Sequence, residues 1–293
     1  MTSIASGRLS KMSVEHQTPV SYVLNVGEHA IPMSSYIGKS IRIVSNGEIR
    51  CTHCQRKTKK SFSQGYCYPC FISLPQCDRC MMSPEFCHYH AGTCRDSAWG
   101  ESFCFQEHIV YLANSSGLKV GITRHTQMPT RWIDQGAVEA LPIFSVATRQ
   151  LSGLVEVMMK EWVADKTNWR KMLKQDVSPI DLKHERDKLM DLAKDGLADL
   201  QSRYPGQITA LDKEPLTFDY PHIQWPEKIK TFNLDKQPEV EGTLLAIKGQ
   251  YLILDTGCFN VRKHGSYDVS FYSDSIIPTT DLTSETEKEA GLL

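Results

Sequence analysis

Short runs of alternating apolar and polar residues follow an unpatterned start of the chain. Residues before about 18 are polar and rich in serine, show no period, and predict a loose N-terminal arm. Alternation begins at Val20–Leu24 and returns at Ile41–Val44, and Gly38 and Gly47 bound the second run. Because strand side chains point to alternate faces, this pattern predicts a small antiparallel sheet between residues 20 and 49.

A strand pair followed by two helices is predicted in the middle of the chain. Ile109–Ala113 alternates as a strand, residues 114–117 supply a turn, and Leu118–Thr123 is the returning strand. A helix is expected to begin at Pro129, a residue favoured in the first helical position, and to end at Gly136. A second helix is predicted from apolar residues at helical spacing, namely Leu151, Leu154, Val155, Met158, Met159, Trp162 and Val163.

The last third of the chain combines a strong helix prediction with a second group of strands. Residues 179–203 carry leucines near helical spacing, and Gly206 follows them. Four prolines between residues 205 and 232 predict an extended linker, and short apolar runs beyond it predict a small β domain. This domain could share a sheet with the N-terminal strands, and the acidic tail after Thr279 is expected to be disordered.

These patterns predict an α+β protein with several domains and no internal repeat. The predicted segments are an N-terminal arm and small β-sheet (1–48), a cysteine-rich zinc-binding region (49–106), a mixed α/β region with a small antiparallel sheet (107–204), and a linker with a C-terminal β domain and disordered tail (205–293).

Composition narrows the class of protein. A chain of 293 residues can form two or three domains, so it does not depend on metal for all its stability. The formal net charge of −1 excludes a uniformly basic coat for nucleic acid. The segment Arg56–Lys60 still carries four positive charges and reads equally well as a nucleic-acid contact or a solvated loop. No apolar stretch approaches the length of a bilayer span, which predicts no membrane partner.

Nine of the ten cysteines lie between residues 51 and 104. Two thiolates separated by two residues can both face one tetrahedral ion, so each such pair supplies half of a zinc shell. We predict one structural zinc site with the ligands Cys51, Cys54, Cys67 and Cys70. Disulfides would need an oxidising compartment, and the N-terminus does not resemble a secretory signal. Reduced thiols and a cytoplasmic location are therefore expected.

A second zinc site is predicted from the cysteines and histidines that follow. The first choice of ligands is Cys77, Cys80, Cys87 and Cys94, because the gaps between them are short and even. Three residues could replace either of the last two, namely His88, His90 and Cys104. Dense cysteine ligation closes the metal shell, so both zinc ions are expected to shape the protein and to do no chemistry.

Two charged side chains of the middle region occupy positions suited to chemistry. Arg131 falls in the first turn of the helix predicted from Pro129, where backbone N–H groups and a guanidinium can both face an anion. Glu156 lies at the edge of the apolar stripe of the next helix, where a carboxylate can border a cleft. Alternatively, Arg131 could pair with Asp134 on the surface, and Glu156 could be an exposed helix acid.

The same residues resemble the GIY-YIG nuclease superfamily. Ile109-Val110-Tyr111 is similar to its first motif, and Lys119-Val120-Gly121 followed by Thr123 is similar to the second, with lysine in place of the second tyrosine. Arg131 matches the motif arginine, Glu156 the metal-binding glutamate, and Asn168 the asparagine that follows it. Most of the chain also resembles an uncharacterised bacterial family that joins a cysteine-rich N-terminal region to such a core.

The resemblance implies metal-dependent hydrolysis of phosphodiesters in DNA or RNA. One divalent ion, Mg²⁺ or Mn²⁺, on Glu156 would stabilise the leaving oxygen, while Arg131 would hold the developing charge. Tyr111 or Lys119 would take a proton from the attacking water. Both side chains have ordinary pKa values of about 10, so either pKa would have to be lowered. Asn168 belongs to the implied site, although it could simply cap the next helix.

Two other functions are compatible with the sequence. A nucleic-acid-binding protein could keep this fold without cleavage and use the zinc modules and the basic run Arg262–His264 to hold phosphates. That run could equally be a charged strand end. The third possibility is a zinc-stabilised scaffold that binds other proteins.

Overall fold

Fifteen strands and seven α-helices are found in residues 1–281, which are the residues that the computed structural model describes. The strands are β1 (Thr2–Arg8), β2 (Ser13–Glu15), β3 (Ser21–Val26), β4 (His29–Pro32), β5 (Ser40–Ile49), β6 (His108–Asn114), β7 (Leu118–Arg124), β8 (Glu139–Val146), β9 (Ile208–Ala210), β10 (Leu216–Thr217), β11 (Glu239–Lys248), β12 (Tyr251–Leu254), β13 (Gly257–Asn260), β14 (Tyr267–Ser273) and β15 (Thr280–Asp281). The helices are α1 (Tyr68–Ser73), α2 (Ser97–Cys104), α3 (Thr130–Asp134), α4 (Arg149–Met159), α5 (Trp169–Leu173), α6 (Leu182–Leu192) and α7 (Lys194–Arg203).

The chain divides into two units, and the α+β class with several antiparallel sheets is confirmed. Unit 1 combines residues 1–71 with the residues from 219 onward, and unit 2 comprises residues 72–218. The cysteine-rich segment predicted at 49–106 is therefore divided between the units. No helix in residues 1–281 is long and apolar enough to cross a bilayer.

Unit 1 contains two antiparallel sheets. The larger one has the strand order β1-β14-β5-β11-β12-β13, and the smaller one has the order β15-β4-β3-β2. Strand β5 from the N-terminal part lies between β14 and β11 from the C-terminal part. The expected sharing of a sheet by the two ends of the chain is thus confirmed. The tail predicted to be disordered lies outside the described residues from position 282.

The first residues form an edge strand, so the prediction of a loose arm is wrong. Strand β1 pairs with β14 from Thr2 opposite Ser273 to Arg8 opposite Asp268. A register shift after Ser3 breaks the alternation of its side chains, which removes the period by which a strand is recognised. The apolar side chains that follow are buried and fix the segment to unit 1. They are Ala5, Leu9 and Met12.

Unit 2 is built on a five-stranded sheet in which the predicted hairpin forms the pair β6–β7. The order is β10-β8-β6-β7, and β9 also pairs with β8. Strands β9 and β10 come from the predicted linker, so this segment contributes edge strands to the sheet. Helices α4, α6 and α7 bury their apolar stripes against the sheet. The core between the sheet and the helices includes Val110, Leu112, Val120, Leu151, Val155, Leu189, Leu197 and Leu200.

The helix predicted over residues 179–203 is present as two helices, α6 and α7. They meet at Ala193, which is fully buried and whose N–H still donates to the Leu189 carbonyl. The helix predicted from Leu151 to Val163 is shorter than expected and ends at Met159 as α4. Thr148 caps its first turn by accepting the Leu151 N–H.

Candidate functional site

Four cysteines of unit 1 form a candidate metal centre. The sulfur atoms of Cys51, Cys54, Cys67 and Cys70 all lie within 4.8 Å of one another. The Cys54 and Cys67 sulfurs are 3.6 Å apart, and thiolates on a tetrahedral zinc with Zn–S bonds of about 2.3 Å lie about 3.8 Å apart. The predicted four-cysteine cluster can therefore hold a structural metal ion such as zinc.

The zinc loop, residues 51–70, is shaped so that backbone N–H groups point at sulfur. Burial raises the pKa of the Cys51 thiol, but N–H groups of Cys54, Cys67 and His53 outweigh it and lower the pKa to about 6. These N–H groups stabilise the thiolate form of Cys51, and the thiolate is the form in which a cysteine binds a metal ion. Gly65 closes the loop at a φ of 149°, where a Cβ atom would lie 2.8 Å from Thr52 Cγ2.

A second group of ligands lies in unit 2, but it differs from the predicted shell. Within residues 1–281, the other close cluster consists of Asp78, Cys80 and His88. Cys80 and His88 were expected among the ligands, whereas Asp78 was not. Asp78 also pairs with Arg95 at 3.0 Å, so its position has a structural explanation without a metal. The cluster does not include Cys77, Cys87 or Cys94, and the second zinc site stays a prediction.

The candidate active site begins on one face of the β6–β7 hairpin. Tyr111 pairs with Gly121 and Ala113 with Lys119, so the four side-chain positions share one face. A Cβ atom on Gly121 would lie 2.7 Å from the Tyr111 hydroxyl oxygen, which explains the need for glycine there. The Trp132 ring of α3 packs on the Tyr111 ring with centroids 5.6 Å apart and helps to bury it.

Gln135 connects the two hairpin residues. The Tyr111 hydroxyl donates a hydrogen bond of 2.9 Å to Gln135 Oε1, and the Lys119 ammonium donates to the same oxygen. Tyr111 is fully buried and Lys119 is 4% exposed. A phenol and an amine from neighbouring strands therefore share one acceptor, and both side chains are almost completely buried.

Arg131 and Glu156 reach the same place from two helices. The charge of Arg131 on α3 acts on both Tyr111 and Lys119. Glu156 on α4 interacts electrostatically with both Tyr111 and Lys119. Arg131 and Glu156 are partly exposed, in contrast to the buried Tyr111 and Lys119. Four of the five predicted catalytic residues thus come together.

A lysine and an aspartate complete the surroundings of Glu156. The Lys160 ammonium lies 3.5 Å from Glu156 Oε2 and 3.0 Å from Asp165 Oδ2. The Val120 N–H donates to the Ala164 carbonyl at 2.8 Å, which attaches this segment to the edge of β7. The carboxylates of Glu156 and Asp165 therefore attract the same cation, the Lys160 ammonium, at this edge of the sheet.

Burial shifts the pKa values of the two possible bases, Tyr111 and Lys119, in opposite directions. Burial raises the pKa of Tyr111, against a smaller lowering by Arg131. Burial and then the Arg131 charge lower the pKa of Lys119 to about 8. Burial raises the pKa of Glu156, against the ion pair with Lys160. Near neutral pH, Lys119 loses its proton far more readily than Tyr111 does.

Asn168, the fifth predicted residue, has the contacts of a helix cap. Its side-chain oxygen accepts the N–H groups of Arg170 and Lys171 at the start of α5, and its own N–H donates to Ser116. None of these contacts joins it to the other four residues. Its predicted part in catalysis stays a prediction.

Three residues of the site were missed by the sequence analysis, namely Gln135, Lys160 and Asp165. Gln135 follows Arg131 by four residues, a spacing that places two side chains on the same side of a helix, and Lys160 follows Glu156 by the same interval. This spacing could have suggested both residues. Asp165 could not have been found in that way, because it is the contact of Ala164 with β7 that holds this segment beside the hairpin.

Comparison with known proteins gives one match. A family model described as "Protein of unknown function (DUF2797)" matches residues 38–269. No curated protein and no solved structure matches the chain. The matched region includes the zinc loop, the hairpin and both helices that carry Arg131 and Glu156. The chain therefore belongs to DUF2797, an uncharacterised family.

Proposed function

We propose that the protein is a zinc-containing, GIY-YIG-like nuclease that hydrolyses phosphodiester bonds in DNA or RNA with the help of a divalent metal ion. One observation carries the proposal: in unit 2 a phenol and an amine share Gln135 as their acceptor, and a guanidinium and a carboxylate lie near enough for their charges to act on both. In this proposal the zinc loop has a structural role.

Lys119 is the better candidate for the general base. A base must lose its own proton near the working pH, and the pKa of Lys119 is lowered to about 8. The raised pKa of Tyr111 keeps its hydroxyl protonated. Tyr111 then acts as a hydrogen-bond donor to Gln135, whose oxygen holds both groups in place.

Arg131 and Glu156 would face the phosphate. The guanidinium can donate two parallel hydrogen bonds to phosphate oxygens and stabilise the charge that develops on them. Glu156, with Asp165 beside the same lysine, offers the oxygen ligands that Mg²⁺ or Mn²⁺ prefers. When bound, such an ion would supply Lewis-acid stabilisation of the phosphate and the leaving oxygen.

Replacing Lys119 with methionine tests the assignment of the base. We expect the metal-dependent cleavage rate of the wild-type protein on labelled single-stranded and duplex DNA and RNA to rise with pH up to about pH 8, because the amine must be neutral to accept a proton. Lys119→Met should lower that rate by roughly a hundredfold or more and remove the dependence on pH.

The matched control is Lys171→Met, which removes an exposed lysine of the same unit and should leave the rate nearly unchanged. Equal rates for Lys119→Met and the wild type would exclude Lys119 as the base. Absence of cleavage by the wild type with every metal tested, together with salt-sensitive binding, would instead favour a non-catalytic nucleic-acid-binding protein.

A further inference from the structure

We infer that the zinc loop of unit 1 is a binding surface for single-stranded nucleic acid. This surface uses none of the residues of the candidate active site. It would therefore exist whether or not the protein cleaves its ligand.

The first observation is the charge of the loop. Arg56, Lys59 and Lys60 are exposed, and no carboxylate of residues 1–281 lies within ion-pair distance of them. Lys57, between them, is paired with Glu48. Three unneutralised cations within five residues are suited to the closely spaced phosphates of a nucleic acid.

The fold adds cations from two distant parts of the chain. Arg262 Nε donates to Gln64 Oε1 at 2.6 Å, and Arg8 donates to Gln55 Oε1. Lys263, next to Arg262, is exposed. The basic run near residue 262 thus borders the zinc loop, and the positive surface is larger than the sequence of the loop suggests.

Aromatic rings occur on the same loop. Tyr68, one of the two residues between Cys67 and Cys70, is 56% exposed. Its ring lies 5.5 Å from that of Phe62, and the Lys60 ammonium lies 5.4 Å from the centre of the Phe62 ring. The exposed Tyr68 ring offers a base a surface for stacking, and Lys60, on the neighbouring Phe62 ring, offers its phosphate a counter-charge.

Single-stranded nucleic acid is the ligand that uses both features. Bases of a duplex are already stacked on one another, so an exposed tyrosine adds little to duplex binding, whereas unpaired bases of DNA or RNA can stack on it. The cations also have a simpler explanation, because four thiolates around Zn²⁺ leave a charge of −2 that they would balance. That explanation does not account for the exposure of Tyr68.

The test is fluorescence anisotropy with labelled oligo-dT and oligo-U, using the full-length zinc-loaded protein without added Mg²⁺ or Mn²⁺. We expect the double variant Lys59→Glu/Lys60→Glu to bind both probes at least about tenfold more weakly and with a shallower salt dependence. Tyr68→Ala should weaken binding by about fivefold or more without changing the salt dependence.

The matched control is Lys228→Glu/Lys236→Glu, which makes the same change of charge at exposed lysines of unit 1. Zinc content measured for every variant shows whether the loop is intact. Equal weakening by the control pair would overturn the inference, as would a Tyr68→Ala variant that binds both probes as the wild type does. Neither result would affect the nuclease proposal, which depends on cleavage and on residues of unit 2.

Discussion

Replacing Cys70 with alanine should release the metal ion from the four-cysteine cluster and unfold the zinc loop. Zinc binding by small zinc-dependent peptides contributes on the order of 10 kcal/mol, because the site does not exist without the metal. Here the loop has little apolar burial of its own, since residues 52–57 are all exposed. We expect bound zinc to fall by one ion per chain and trypsin to cleave rapidly at Arg56–Lys60, while the sheets of unit 1 remain folded.

The control for this variant is Cys258→Ala. Cys258 is a buried cysteine of the same unit, and burial raises the pKa of its thiol to about 11, as expected for a residue that only fills space. Its replacement should cost some stability and leave the zinc content unchanged. The metal site would be refuted if Cys70→Ala retained the zinc content and trypsin resistance of the wild type.

Replacing Glu156 with glutamine should abolish metal-dependent cleavage. The amide has nearly the shape of the carboxylate but no charge, so it is a poor ligand for Mg²⁺ or Mn²⁺. Because a metal ion contributes several kcal/mol to stabilisation of the transition state, the rate should fall by roughly a thousandfold or more. Lys160 keeps Asp165 as its partner, at 3.0 Å, so the local structure should survive.

Binding and cleavage should separate in this variant. Without added metal, Glu156→Gln should bind nucleic acid about as tightly as the wild type, and Glu161→Gln, which changes an exposed acid of the same segment, should cleave normally. Comparable cleavage by Glu156→Gln and wild-type protein would remove the metal-binding role of Glu156. Loss of cleavage in both variants would point to a general effect of charge instead.

Strands β6 and β7 show which part of the candidate active site the sequence predicts. Strands β6 and β7 were expected at nearly their observed bounds, because their alternation and the turn at residues 114–117 are local signals. Tyr111 and Lys119 therefore had to lie on neighbouring strands. That they share Gln135 as an acceptor could not be predicted, since it depends on how α3 packs over the hairpin.

Longer-range contacts account for the predictions that failed. Strand β1 was missed because its partner β14 lies more than 250 residues away and its own alternation is interrupted. The second group of ligands differs from the predicted one because Asp78, Cys80 and His88 meet through short turns whose directions no spacing rule fixes.

The sequence alone determined the features that arise from neighbours in the chain: two Cys-x-x-Cys pairs able to share an ion, a hairpin, and a series of amphipathic helices. These depend on spacing and side-chain period, which are properties of the chain itself. Only the tertiary structure decided which distant strands pair in unit 1. It also decided that burial raises the pKa of Tyr111, and that burial together with the Arg131 charge lowers the pKa of Lys119. The cost of removing a charged group from water depends on everything packed around it, and that is set when the chain folds.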